Sequence, residues 1–122
     1  MSENKYGVKV GDIFEAVWGY DETRSTFFQV VSLAGTESVR VREVHPPVIS
    51  ESCYGYYSAD RVYQTKVDGL LPPARSIFTK DPVRGDIKRL KMWSNVPHFR
   101  MSSYANAYLC GEKTESYESW GR

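Results

Sequence analysis

The chain has 122 residues, 41% hydrophobic and 25% charged, which leaves room for one domain with a true core and excludes two ordinary ones. A net charge of +1 excludes a global field that would draw the protein onto nucleic acid or anionic lipid, and no apolar run approaches the ~20 residues of a membrane span. With 9 Tyr, 5 Phe and 3 Trp, the composition favours sheets over helices.

Met1 to Gly7 is polar and lacks a signal peptide's apolar stretch. It reads as a flexible N-terminus (1–7) ahead of a single β domain (8–122), and the protein reads as cytoplasmic. Val8 to Asp12 is a strand entry with a tight Gly-Asp bend. Ile13 to Tyr20 is the first strand, with Phe14, Ala16, Trp18 and Tyr20 on one face and Ile13, Glu15 and Val17 on the other. Apolar residues on both faces predict a central strand. Asp21 to Ser25 turns the chain, Thr26 to Leu33 is a second strand, and Ala34-Gly35-Thr36 makes the next turn.

The following run alternates cleanly. Val39 and Val41 predict a buried face, and Arg40 and Arg42 a solvated one. His45-Pro46-Pro47 ends it, because proline cannot donate to a ladder. Ser50 to Gln64 is rich in tyrosine but has no strong period, and Val67 to Pro73 reads as a turn and connector. Val83 to Trp93 is a strand rich in Lys and Arg, broken by Asn95-Val96-Pro97, and His98 to Ser102 is a short strand. Ser102 to Gly111 has a helix-like frame, with a Ser N-cap, internal alanines and a Gly stop, and Tyr104, Ala107 and Tyr108 sharing one face. Lys113 to Trp120 closes the chain as a strand. The fold class is therefore mainly β: a small antiparallel SH3-like barrel or strongly bent β-meander with one short C-terminal helix.

Two blocks carry a resemblance. Val10-Gly11-Asp12-Ile13-Phe14 with Trp18-Gly19-Tyr20-Asp21, Thr23 and Phe27-Phe28-Gln29-Val30-Val31 is one; Met101-Ser102-Ser103-Tyr104-Ala105-Asn106-Ala107-Tyr108-Leu109 is the other. Together they cover roughly a third of the chain, and they resemble small, uncharacterised proteins of phages and mobile elements of Gram-positive bacteria. Cys110 departs from that pattern, standing where an aromatic residue is expected. The resemblance implies a phage or mobile-element origin, action in the cytoplasm of the host bacterial cell, and no catalytic residues to carry over.

No catalytic or metal-binding signature is present, and no cofactor is implied. Cys53 and Cys110 form no CxxC and have no histidine at ligand spacing, so they read as reduced, partly buried thiols. A zinc site would need about four ligands converging from afar. His45 and His98 both stand beside prolines in what reads as connector, which argues against an enzyme. The Arg84-Gly85-Asp86 tripeptide matches an integrin-binding motif but is short enough to recur by chance.

Two binding readings remain. In the first, Trp18, Tyr20, Tyr54, Tyr56 and Tyr57 form a protein interface, since exposed Tyr and Trp offer large contact area at low entropy cost; the partner is a host protein or nucleic-acid machinery, as in counter-defence or host takeover. In the second, nucleic acid binds directly. Arg75 to Arg100 holds seven cations against Asp81 and Asp86. Arg84, Lys88, Arg89 and Lys91, joined by Arg40 and Arg42, make a phosphate stripe, with Trp93 as a stacking surface. No oligomeric state is read from the sequence.

Overall fold

The two apolar runs that flank the Trp18–Ser25 connector pair as antiparallel strands, β1 (Ile13–Trp18) and β2 (Arg24–Leu33), and the alternating run beside them is β3 (Ser38–Val44). The computed structural model describes residues 3–19, 24–53, 59–111 and 114–120. The remaining strands are β4 (Val48–Cys53), β5 (Ala59–Gln64), β6 (Asp86–Arg89), β7 (Lys91–Trp93), β8 (Val96–Ser102), β9 (Ala105–Leu109) and β10 (Glu115–Trp120). They form a seven-stranded antiparallel sheet ordered β6-β3-β2-β1-β9-β8-β7 and a three-stranded sheet ordered β10-β5-β4.

In the larger sheet β6 and β7 occupy opposite edges, yet only Leu90 separates them in sequence. The sheet must therefore curl until its edges meet on one bent segment, making a half-barrel. Leu90 is 1% exposed and points inward with Phe14, Phe28, Val30, Val39, Val41 and Phe99. Phe99 packs against Phe14 and Phe28 at ring-centroid distances of 5.2 and 5.3 Å. Val8 and Tyr6 join this core from the N-terminal segment, where Asn4 Oδ1 accepts bonds from the Tyr6 and Val8 amides and the Lys5 amide reaches Thr36 O.

The small sheet covers part of the outer face of β1–β3. Ile13, Phe27, Val44 and Tyr63 make a second core there, with Val67, Leu71 and Cys110 against it; Phe27 and Tyr63 meet at 4.9 Å. This explains why Thr26 to Val30 is buried at every position: β2 is covered on both faces. The expected turn of Asp21 to Ser25 lies mostly outside the described residues, but Arg24 and Ser25 already belong to β2.

Four expectations need correction. The predicted helix over 102–111 is a hairpin of β8 and β9, and no helix occurs among the described residues. Its alanines are spaced two apart, and Ala105 and Ala107 turn into the first core, where Ala107 stands opposite Phe99 on one side and Ala16 on the other. Val83–Trp93 is two strands, divided at Leu90. The break after Trp93 is real but falls earlier than Asn95-Val96-Pro97: Ser94 (φ 50°) and Asn95 (φ 65°) form a two-residue hairpin turn, with φ positive at both positions as a type I′ turn requires. Val96 and Pro97 already lie in β8. Finally, the unpatterned Ser50–Gln64 contains most of the β4–β5 hairpin.

Candidate nucleic-acid interface

A single row of residues crosses the outer face of the half-barrel: Lys91, His98, Tyr108, Glu15, Phe27 and Val44 stand opposite one another on β7, β8, β9, β1, β2 and β3. Paired residues share a face, so this row shows what happens to that face from one side to the other. Phe27 and Val44 lie beneath the small sheet. Glu15 marks the border. It is 7% exposed and accepts hydrogen bonds from the hydroxyls of Ser25 and Ser116. Glu118 beside it accepts from the Ser25 amide (2.9 Å) and the Tyr63 hydroxyl (2.7 Å). Burial holds the Tyr63 hydroxyl above its ordinary pKa, keeping it a donor. Every hydroxyl and carboxylate in this set serves to fasten β10 and β5 to β1 and β2.

Beyond Glu15 no described residue covers the face. Trp93 is 63% exposed and meets the Tyr108 ring edge-on at 6.2 Å, and Tyr108 in turn lies 5.1 Å from the His98 ring at 30°. Lys91 stands opposite His98, and Arg100 opposite Asn106. Where β8 runs past the end of β7, a groove of about 500 Å³ follows the seam of the half-barrel, lined by Arg89, Lys91, His98, Arg100, Tyr104 and Asn106. Arg89 binds Glu37 (3.1 Å), which also takes Lys5 at 2.9 Å. The Lys5 hydrogen bond and charge keep the Glu37 carboxyl below its usual range, so it stays ionised. The seam still carries an excess of cations: Lys5, Arg89, Lys91 and Arg100 against that one carboxylate. The Nδ1 atom of His98 is buried with no partner among the described residues.

Of the residues expected to bind nucleic acid, Arg89 and Lys91 line this groove, and Trp93 stands on the same face two residues along β7 from Lys91. Arg40 and Arg42 do not line it, and their face is only partly solvated. Arg40 donates to Gly85 O (2.8 Å), and Arg42 donates to Val83 O (2.7 Å) and Leu71 O (2.9 Å). Both guanidinium groups brace the 70–85 loop against β3. Lys88 pairs with Val39 and is half-buried, while Arg84 is exposed on the braced loop, its amide bonded to the Asp81 carboxylate at 3.0 Å. The Arg84-Gly85-Asp86 tripeptide is a structural turn: Gly85 lies against the Val41 carbonyl, and Asp86 accepts from the Lys80 and Asp81 amides.

Of the residues expected at a protein interface, Trp18 donates its Nε1–H to the Thr26 hydroxyl (2.8 Å) and packs edge-on against Phe78 and Tyr104. Tyr20, Tyr54, Tyr56 and Tyr57 lie outside the described residues. The sequence reading counted Arg100 among the cations of the basic segment but did not single out His98, Asn106 or Tyr108. His98 alternates with Pro97 and Phe99 in a run already read as a strand, whereas Asn106 and Tyr108 were hidden by the helix read over 102–111. Among the described residues, no three His, Cys, Asp or Glu side chains gather as a metal site, and no helix is long and apolar enough to cross a membrane. Comparison with protein-family models, curated proteins and solved structures finds no significant match to the chain.

Proposed function

We propose that the protein is a non-catalytic binding module that holds single-stranded nucleic acid on the open face of β7, β8 and β9. One observation carries this reading: an indole 63% exposed, backed by Tyr108 and His98, stands two residues along β7 from Lys91, which lines a groove with Arg89 and Arg100, on a sheet face that no described residue covers. Bases stack on such rings whatever their identity, and the cations meet the phosphates. The curled sheet serves as a scaffold of the SH3-like kind, with the β1–β3 meander sealed off as its structural half. Resemblance to small phage and mobile-element proteins supports the host cytoplasm as the place of action and host nucleic-acid machinery as the setting.

The test is titration with a labelled oligonucleotide at about 50 mM salt. Binding is expected, with Trp93→Ala weakening it by ~1–3 kcal/mol and Lys91→Ala lowering the salt slope by about 1. Absence of binding at that salt, together with capture of a host protein that survives nuclease, would replace this reading with the protein-partner one.

A further inference from the structure

Resting on that reading, we infer that the seam groove has a second stacking post at Tyr104, so that the site takes a short, unpaired stretch of about four nucleotides with its end bases splayed onto separate rings. Trp93 stands opposite Val96 at the start of β8, and Tyr104 follows Ser102 at its end. The β8 backbone from Val96, opposite Trp93, to Ser102, two residues before Tyr104, runs roughly 20 Å at ~3.3 Å per residue. Between them lie Lys91, His98, Arg100 and Arg89.

Tyr104 is 59% exposed but not loose: its ring is held edge-on by Trp18 at 5.9 Å and by Phe78 at 6.4 Å, and those two rings hold each other at 6.2 Å. Trp93 is braced in the same way by Tyr108. Both posts are thus positioned before a ligand arrives, and little ordering entropy remains to be lost. Ring, cations, ring is the order that a strand with bases at its ends and phosphates between would match. A duplex would not, because its bases are already paired and stacked on one another. A strand rising ~3.4 Å per nucleotide would need about six to span 20 Å. Splaying the bases lengthens each step, which brings the number to the lower end of the ~4–16 known for single-strand modules.

The probe is a series of oligothymidylates from about two to about ten nucleotides, followed by quenching of tryptophan fluorescence. The expected result is affinity that climbs to a plateau near four nucleotides, a Tyr104→Ala variant whose plateau falls to about two with roughly tenfold weaker binding of the longer strands, and a Tyr104→Phe variant that behaves like the parent. Thermal melting of both variants checks that they fold. A plateau unmoved by Tyr104→Ala, or one that lies beyond about eight nucleotides, overturns the second post while leaving the Trp93 site standing. If no length quenches the parent protein, the nucleic-acid reading itself has failed.

Discussion

Arg40 and Arg42 on β3 and Lys91 and Arg100 on β7 and β8 all lie on the outer face of the same sheet, and all come from runs in which cations alternate with apolar residues. On β3, the 70–85 loop and the small sheet lie over that face, and the guanidinium groups are spent on backbone carbonyls. On β7 and β8 nothing among the described residues covers it, and the cations face outward beside exposed rings. Alternation therefore shows which side of a strand a cation occupies, whereas its role depends on whether another element closes over that side.

The contrast can be broken most forcefully at Gly85. Its φ is +94°, and a Cβ there would stand 2.6 Å from the Val41 carbonyl oxygen, which is backbone and cannot swing aside. Gly85→Ala should destabilise the protein by about 3 kcal/mol, combining left-handed backbone strain with overpacking. Chemical denaturation reads this directly, and an unchanged midpoint would mean that the loop is not braced against β3.

Next comes a matched pair. Arg42→Ala leaves the Val83 and Leu71 carbonyls without their donors and should cost about 2 kcal/mol, with oligonucleotide affinity unchanged once the protein is folded. Lys91→Ala should reverse the pattern, altering stability by no more than ~0.5 kcal/mol while weakening binding. If Arg42→Ala instead weakened binding with stability intact, the two halves would have been assigned the wrong way round.

The smallest expected effect lies at Glu43, whose carboxyl is pushed above its ordinary pKa, chiefly by burial, against the lowering influence of Ser76 and His45. A carboxyl with a raised pKa in the folded state binds its proton more tightly there, so its contribution to stability falls as pH rises through and just above the usual Glu range. Glu43→Gln removes that loss. Its melting temperature should gain on the parent as pH rises through and above the usual Glu range and stay level with it below; parallel curves across that range would refute the shift.

The meander was legible because each of its strands has a distinct inside. Phe14 and Ala16 face one way, Val39 and Val41 likewise, and the period of two follows from that burial. β4 was not legible for the converse reason: Val48, Ile49, Ser50, Glu51 and Ser52 are all exposed, so burial imposes no alternation. The 102–111 hairpin was misread because alanine is the best helix former, while its value here is small volume beside Phe99. Half of the site was visible in Arg89, Lys91 and Trp93. The other half required knowing that β8 and β9 run beside β7, a pairing that no local pattern announces.

That pairing has a consequence for how the chain comes into being. Phe14 finds its partner Leu109 about 95 positions later. At a synthesis rate of ~5–20 residues per second, β1 waits roughly 5–20 s on the ribosome with one edge unoccupied. Until β9 arrives, the nascent meander presents a bare strand edge next to Phe14 and Phe28, the arrangement most open to pairing with another copy. Contacts spanning so much of the chain also slow refolding. The half-barrel is thus most exposed to aggregation while it is being made.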